Sequence, residues 1–131
     1  MISICKTFRF EAAHRLPMHE GLCQHLHGHS YKLEIKIMGN REDDQASPTL
    51  GMLMDFSDLK QLVEELVLDD LDHSLLNELN HLSNPTAENI VLHIVQMIVP
   101  ALPNKVNLMR VRLWETGTSY AEWNNPDIQR L

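Results

Sequence analysis

Three histidines carry the strongest chemical signal in this sequence: His14, His27 and His29. Side chains on a strand alternate between its two faces, so His27 and His29 project from the same face, and a neighbouring strand can bring His14 beside them. Three imidazoles without an obvious fourth ligand are typical of a zinc ion that keeps one coordination position open. Such an ion can polarise a substrate oxygen or acidify a bound water. The spacing therefore predicts a catalytic zinc site.

The composition indicates a globular protein and disfavours several classes of function. The chain has 131 residues, of which 44% are hydrophobic and 22% charged, so we expect one domain, residues 1–131, with its own core. The formal net charge of −7 disfavours nucleic acid as a partner, because nucleic-acid-binding proteins normally present a basic surface. No apolar run has the length of a membrane span, and no secretion signal stands at the N-terminus. We therefore expect a cytoplasmic protein that binds neither nucleic acid nor membrane.

Hydrophobic periodicity predicts four strands and two helices. The strands, marked by alternating apolar and polar residues, lie at residues 2–10, 30–38, 106–115 and 120–123. The helices run from Asp55 or Ser57 to about Asp69 and from about Pro85 to Pro100. In this order, each helix buries its single apolar face on the same side of a four-stranded antiparallel sheet. The predicted fold class is α+β.

Six short motifs in the sequence resemble those of one enzyme family. They are Phe10-Glu11-Ala12-Ala13-His14, Cys23-x-x-x-His27-Gly28-His29, Met54-Asp55-Phe56, Leu71-Asp72-His73-x-x-Leu76-Asn77, Pro85-Thr86-x-Glu88-Asn89 and Glu115-Thr116. Together they extend from residue 10 to residue 116 and resemble the 6-pyruvoyltetrahydropterin synthase family. Within that family, the three-residue gap between Cys23 and His27 resembles the bacterial 6-carboxytetrahydropterin synthases of the queuosine (7-deazaguanine) pathway.

The resemblance implies a fold, a cofactor and a substrate. The implied fold is the tunnelling fold (T-fold), in which ββααββ subunits join their sheets into a barrel, commonly as a trimer stacked into a hexamer. The implied cofactor is zinc, held by the histidine trio. The implied substrate is 7,8-dihydroneopterin triphosphate, and the implied products are 6-carboxytetrahydropterin, acetaldehyde and triphosphate. Unpaired sheet edges independently favour a homo-oligomer.

Cys23, Asp72 and His73 are the candidate proton-transfer residues. Cys23 lies four residues before His27, within the field of a zinc ion that favours its thiolate, and is the predicted general base. Its alternative role is a fourth ligand that closes a structural zinc site. By the resemblance, Asp72 and His73 exchange protons with Cys23 from across a subunit boundary, whereas an Asp-His dipeptide by itself is more often a solvated turn. Cys5 has no motif around it and is assigned no role.

Glu115 is the predicted substrate-binding residue. It follows Met109, Val111 and Leu113 on one parity of the third strand, where a carboxylate is expected only if the strand ends at a pocket. A pterin offers an exocyclic amino group beside a ring N–H, and one carboxylate can accept both hydrogen bonds. The alternative is an acid at a hairpin turn that binds no ligand.

Triphosphate requires positive charge, and four candidate side chains are not ranked by the sequence. They are Arg15, Lys32, Arg110 and Arg112.

The predicted activity is that of a zinc-dependent carbon–oxygen lyase that makes 6-carboxytetrahydropterin. Two alternatives remain open: a synthase that eliminates triphosphate and releases a 6-pyruvoyl product, and a noncatalytic zinc-binding or pterin-binding module.

Overall fold

The computed structural model describes residues 1–80 and 82–130, which form five strands and three α-helical segments. In chain order these elements are β1 (Ile2–His14), β2 (His27–Gly39), α1 (Phe56–Val63), α2 (Asp69–Leu71), β3 (Ser74–Leu75), α3 (Ala87–Ile98), β4 (Val106–Thr116) and β5 (Ser119–Asn124). A π-helical stretch, Glu64–Leu68, joins α1 to α2. α1, this stretch and α2 form one continuous helical arm, residues 56–71. No helix in these two ranges is long and apolar enough to cross a membrane.

Alternating side chains on the long strands build the core. β1 and β2 pair antiparallel along their whole length, from Ile2 opposite Gly39 to His14 opposite His27. β4 adds to the other edge of β2, and β5 adds to β4. The buried hydrophobic residues of the strands are Phe8, Phe10, Ala12, Tyr31, Leu33, Ile35, Ile37, Val106, Leu108, Val111 and Leu113. Each large apolar side chain buried in this way stabilises the fold by about 1.5–3 kcal/mol.

The two long helical elements, α1 with its extension and α3, each begin at a side-chain cap. Asp55 accepts a hydrogen bond from the backbone N–H of Ser57 at 2.8 Å, and Thr86 accepts one from the backbone N–H of Asn89 at 3.1 Å. Such caps contribute about 1 kcal/mol each. The apolar stripes of α1 and α3 pack on the buried side of the sheet. The α+β class, the two predicted helices on one face and the four predicted strands are therefore confirmed.

The sheet itself is five-stranded and mixed rather than four-stranded and antiparallel. Its order is β3-β1-β2-β4-β5, and the extra strand, β3, runs parallel to β1 through Ala12 opposite Ser74 and Ala13 opposite Leu75. The sequence prediction missed β3 because two residues are too few to show alternation. β1 also continues beyond its predicted end at residue 10, and this extension carries His14 into the sheet.

Two bulges in β4 change the predicted parity of that strand. Ile37 lies opposite Leu108 and Lys36 opposite Arg110, so Met109 is an extra residue and the buried position before it is Leu108. The expected alignment of Met109 with Val111 is therefore wrong: the buried residues lie at even positions before the bulge, Val106 and Leu108, and at odd positions after it, Val111 and Leu113. A second register shift lies between Trp114 and Thr116.

Candidate metal centre and active site

The structure brings together the three histidines expected to hold zinc. His14 and His27 lie directly opposite each other on β1 and β2, and His29 follows two residues later on the same face of β2. The ring centroids are 4.6 Å apart for His14 and His27, 5.0 Å for His14 and His29, and 4.8 Å for His27 and His29. One ring nitrogen from each histidine lies within 4.8 Å of the other two. We call this group the histidine cluster.

Backbone carbonyls fix the tautomers of two rings in the cluster. The Nδ1 atom of His14 lies 2.8 Å from the carbonyl oxygen of Pro85, and the Nδ1 atom of His27 lies 2.7 Å from that of His25. A carbonyl oxygen can only accept, so each Nδ1 carries the proton, and each neutral ring therefore presents a lone pair at Nε2. These two Nε2 atoms are 3.0 Å apart. Two facing lone pairs repel each other unless a proton or a cation lies between them.

His29 supplies a third unsatisfied nitrogen. Its Nε2 atom is buried and has no hydrogen-bond partner within the described ranges. The nearest charged group is the carboxylate of Glu115, with 3.8 Å between Nε2 and Oε1, which is too long for a hydrogen bond. A buried polar atom without a partner is costly, and a metal ion that accepted all three lone pairs would remove this cost. The donor set of the cluster therefore fits a metal ion.

Burial disfavours protonation of two rings in the cluster, those of His14 and His29. Desolvation lowers the pKa of His14, which is 1% exposed, although its hydrogen bond to Pro85 opposes the shift. Desolvation likewise lowers the pKa of His29, against the opposing charge of Glu115. The phenol of Tyr31 lies beneath both rings, and burial raises its pKa. Neutral imidazoles are the form that binds metal, so the lowered pKa values of His14 and His29 favour the form that could ligate an ion.

Glu115 lies on the same side of the sheet as the histidine cluster, at the second bulge in β4. Trp114 lies opposite Tyr120 and Thr116 lies opposite Ser119, which leaves Glu115 as the extra residue between them. Glu115 continues the alternation of the buried Val111 and Leu113, and its carboxylate lies beside His29 with 29% of its side chain exposed. The structure thus places the predicted pterin-binding carboxylate at the mouth of the candidate metal centre.

Cys23 lies near the histidine cluster along the chain but does not join it. The group of possible ligand atoms found in the described ranges contains the three histidines and not the Cys23 thiol. Cys23 lies in a short 3-10 turn, Leu22–Gln24, where its carbonyl accepts a hydrogen bond from the backbone N–H of Leu16 at 2.7 Å. Its side chain is half-buried. This geometry leaves a coordination position open instead of closing a four-ligand site.

Asp72 and His73 form a pair that strand β1 holds in place. The Asp72 carboxylate accepts a hydrogen bond from the backbone N–H of Glu11 at 2.9 Å, and the same oxygen lies 2.9 Å from Nδ1 of His73. The Glu11 hydrogen bond is the main reason why the pKa of Asp72 is lowered, and His73 adds to the effect. In return, the backbone N–H of His73 donates to the carbonyl of Glu11. His73 holds a left-handed backbone, with φ of 58°, as this close docking requires.

The Asp72–His73 pair lies outside the histidine cluster of its own chain. It docks on the backbone of Glu11, at the outer edge of β1. His73 lines a cavity of about 500 Å³ together with Glu11, His29 and Ser30.

Three motif residues that the sequence analysis left without a role, Pro85, Asn77 and Glu11, hold other parts of the site in place. The Pro85 carbonyl orients His14, which accounts for the position of Pro85-Thr86 in the chain. Asn77 binds the backbone of Arg15, donating to its carbonyl at 2.8 Å and accepting from its N–H at 2.9 Å. Glu11 holds the Asp72–His73 pair. Each residue stands within a quoted motif, but its partner is about 60 to 70 residues away, and no spacing rule finds such a partner.

Two of the four candidate phosphate-binding cations are already engaged. Arg110 and Arg112 both contact Glu34, at 3.5 Å and 3.6 Å, and Arg112 also donates to Glu122 at 2.7 Å. Lys32 lies 3.8 Å from the same Glu34 carboxylate, with 37% of its side chain exposed. Three cations thus share one glutamate, and the two arginines have the shorter contacts.

Comparison with known proteins matches the chain to one family. A family model described as 6-pyruvoyl tetrahydropterin synthase matches residues 3–126. The chain is 41% identical over 128 residues to a 6-carboxy-5,6,7,8-tetrahydropterin synthase of Synechocystis sp., covering 98% of this chain and 97% of the relative. It is 40% identical over 106 residues to a dihydroneopterin monophosphate aldolase of Pyrococcus furiosus, covering 81% of this chain and 82% of the relative.

A solved structure supports the same relationship. The 6-pyruvoyl tetrahydropterin synthase of Caenorhabditis elegans superposes with a TM-score of 0.80 at 26% identity, and the match covers 95% of both chains. The resemblance on which the sequence analysis rested, and the T-fold that it implied, are therefore confirmed.

The lowered pKa values in the cluster predict how acid affects the metal-free protein. An unfolded histidine binds a proton near pH 6.5, whereas His14 and His29 in the folded chain resist protonation to a lower pH. The unfolded state therefore binds more protons below about pH 6.5, and folding stability falls there as the pH is lowered. Urea unfolding of the EDTA-treated protein at pH 7.5 and 5.5 measures the loss. A His14→Gln variant should lose less stability over this interval, and an equal loss in both proteins would contradict the assignment.

Proposed function

This chain belongs to the 6-pyruvoyl tetrahydropterin synthase family, and from that premise we propose that it is a zinc-dependent 6-carboxy-5,6,7,8-tetrahydropterin synthase. It would convert 7,8-dihydroneopterin triphosphate and one water molecule into 6-carboxytetrahydropterin, acetaldehyde and triphosphate, as a step of queuosine biosynthesis. The observation that carries the proposal is the convergence of three imidazole nitrogens beside a single carboxylate, in a chain closely related to enzymes of that name. The cytoplasmic location expected from the sequence stays a prediction.

Zinc is the metal that we assign to the histidine cluster. Three neutral nitrogen donors without a fourth protein ligand suit zinc in catalytic sites. Bound there, zinc would stabilise the negative charge that develops on a substrate oxygen. His14, His27 and His29 would hold the ion, and the carbonyls of Pro85 and His25 would keep two of the rings oriented.

Glu115 would bind the pterin ring beside the metal. Its carboxylate is partly exposed and lies 3.8 Å from Nε2 of His29, so a ring held by Glu115 would place its side chain over the cluster. Two parallel hydrogen bonds from the pterin amino group and ring N–H would fix the ring's orientation and reject rings that lack them. We propose that this contact sets substrate identity.

Cys23, Asp72 and His73 would move the protons. Cleavage of the side chain requires removal of a proton from carbon and delivery of a proton to a neighbouring position. We assign the removal to Cys23, whose turn lies just before the cluster. We assign the second exchange to His73, whose imidazole is oriented by Asp72.

We further propose that His73 serves the metal centre of a neighbouring subunit. The Asp72–His73 pair docks at the outer edge of β1 and is not part of the histidine cluster of its own chain. In the described ranges, β1 is paired on its outer side only at Ala12 and Ala13, and β5 has no partner on its outer side. Two open edges are suited to joining the sheets of successive copies. A closed homo-oligomer, a trimer or hexamer, would complete each site.

The 6-pyruvoyl product is the second candidate. It is favoured by the name of the structurally similar nematode protein, and the same ligands and pterin-binding carboxylate would serve it. The curated relatives at 40–41% identity carry other names, which favours cleavage of the side chain.

Product analysis tests the proposed function. We expect zinc-loaded protein to convert 7,8-dihydroneopterin triphosphate into 6-carboxytetrahydropterin with an equal amount of acetaldehyde, measured by mass spectrometry and an aldehyde assay. A His29→Ala variant should lose stoichiometric zinc and activity together. A 6-pyruvoyl product without acetaldehyde would establish the second candidate, and absence of turnover by zinc-loaded protein would indicate a binding module.

Replacement of Cys23 separates a base from a ligand. Cys23→Ala should lower kcat by at least about 100-fold, the usual contribution of a general base, while zinc content stays at one per chain. Cys5→Ala, which changes an exposed cysteine on β1, is the matched control and should keep full activity. Loss of zinc from Cys23→Ala would instead identify Cys23 as a metal ligand.

Mixing of inactive subunits tests the shared site. Cys23→Ala and His73→Asn proteins should each be inactive, but co-expressed in equal amounts they should regain about a quarter of wild-type activity, since half of all clusters would keep Cys23 and half of their neighbours would keep His73. Co-expression of Cys23→Ala with the double variant Cys23→Ala/His73→Asn is the control and should stay inactive. If the first mixture also stays inactive, His73 acts within its own chain.

A further inference from the structure

Two positively charged side chains stand directly opposite each other on the face of the sheet that lacks helices. Arg9 on β1 pairs with Lys32 on β2, and both alternate with buried residues, so they share the outward face. Like charges at directly opposed positions destabilise a strand pair. Such a local conflict is expected where a binding function maintains it.

The surrounding acids do not resolve the conflict. Among the described residues, Arg9 makes no ion pair or side-chain hydrogen bond. Lys32 has only the 3.8 Å contact with Glu34, and that carboxylate also serves Arg110 and Arg112. The charge of Glu34 is therefore shared among three cations.

A cavity of about 420 Å³ lies between these two cations and the end of β4. Its walls are Arg9, Ser30, Lys32, Trp114, Thr116 and Gly117. Lys32 lies opposite Trp114, so the two cations and the indole form one cross-strand row. The Trp114 Nε1 atom is buried and has no acceptor in residues 1–80 and 82–130. Indole nitrogen can only donate a hydrogen bond, and the cavity wall therefore contains two cations and an unused donor.

We propose that this cavity binds a phosphate-class anion, either inorganic polyphosphate or the phosphate tail of an organic ligand. A monoanionic carboxylate would neutralise one of the two cations, whereas a phosphate dianion or a polyphosphate neutralises both. Arginine favours phosphate because its planar guanidinium donates two parallel hydrogen bonds. The cavity lies on the opposite face from the histidine cluster and shares Ser30 with the His73 cavity, so a phosphorylated ligand held at His73 would extend its tail into it.

Fluorescence of Trp114 provides a direct binding assay. The chain has two tryptophans, and a Trp123→Phe variant leaves Trp114 as the only one. Titration of this variant with inorganic tripolyphosphate at constant ionic strength should change its emission saturably. The assay is run on zinc-loaded and on EDTA-treated protein, because polyphosphates chelate zinc. We expect saturable binding in both states, because no wall of the cavity belongs to the histidine cluster.

Charge variants decide whether Arg9 and Lys32 form the site. In the Trp123→Phe background, Arg9→Gln and Lys32→Gln should each weaken tripolyphosphate binding at least about tenfold. Without anion, each variant should unfold at a higher temperature than its parent, because the repulsion is removed. Lys36→Gln is the matched control: Lys36 lies on the same face of β2, outside the cavity, and its loss should change affinity less than about twofold.

Two results would overturn the proposal. One is the absence of saturable binding to the Trp123→Phe protein, and the other is an equal weakening by Lys36→Gln and Arg9→Gln, which would indicate general electrostatic attraction. Binding of tripolyphosphate needs no turnover, so failure of this site and failure of the proposed reaction are distinguishable.

Kinetics with 7,8-dihydroneopterin triphosphate identify the source of the anion, and this second measurement rests on the proposed function. If the cavity holds the tail of the substrate, Arg9→Gln should raise KM with kcat unchanged. If it holds the released triphosphate, Arg9→Gln should weaken product inhibition and leave KM unchanged. Either result supports the site.

Discussion

The site depends on two hydrogen bonds between imidazoles and backbone carbonyls. Because His14 donates to Pro85 and His27 donates to His25, neither ring can turn its proton toward the other. The consequence is a pair of lone pairs 3.0 Å apart inside a largely buried site, an arrangement that a neutral protein cannot satisfy by itself. A divalent cation that accepted both lone pairs would resolve the conflict, as would a proton between the two rings, which the lowered pKa of His14 disfavours.

The same constraint gives a structural role to motif residues that lie far from the cluster along the chain. Pro85 stands just before the Thr86 cap of α3, so the helix cap and the orientation of His14 are built from adjacent residues. Asn77 fixes the backbone after His14, and Glu11 fixes the Asp72–His73 pair. The last residues of β1 are therefore held on both sides, at Glu11 and at Arg15, by the chain segment that follows the helical arm. The histidine cluster and the Asp72–His73 pair therefore share one scaffold.

Local pattern was sufficient to predict the histidine cluster but not its surroundings. The two-residue spacing places His27 and His29 on one face of a strand. His14 joins them because β1 extends past its predicted end at residue 10 and β2 begins before residue 30, extensions that depend on the pairing of the two strands. Alternation from Val111 and Leu113 gives the correct side for Glu115, but not the bulge at which it lies. The β1–β3 pairing and the Glu11–Asp72 contact are likewise tertiary. They arise from how the helical arm returns to the sheet, and only three-dimensional structure reveals them.

The outward face of the sheet differs in charge from the chain as a whole. The chain has eleven cations and eighteen acids, but the outward side of the four long strands reverses that ratio. Its cations are Arg9, Lys32, Lys36, Arg110 and Arg112, and its acids are Glu11, Glu34 and Glu122. If the open edges of β1 and β5 join successive copies into a ring, this face is enclosed and the excess of cations is repeated by symmetry. Field lines are then focused in a confined space, which strengthens the attraction for anions. Assembly and anion binding would thus support each other: an anion lowers the repulsion that closure creates, and closure raises the affinity for the anion.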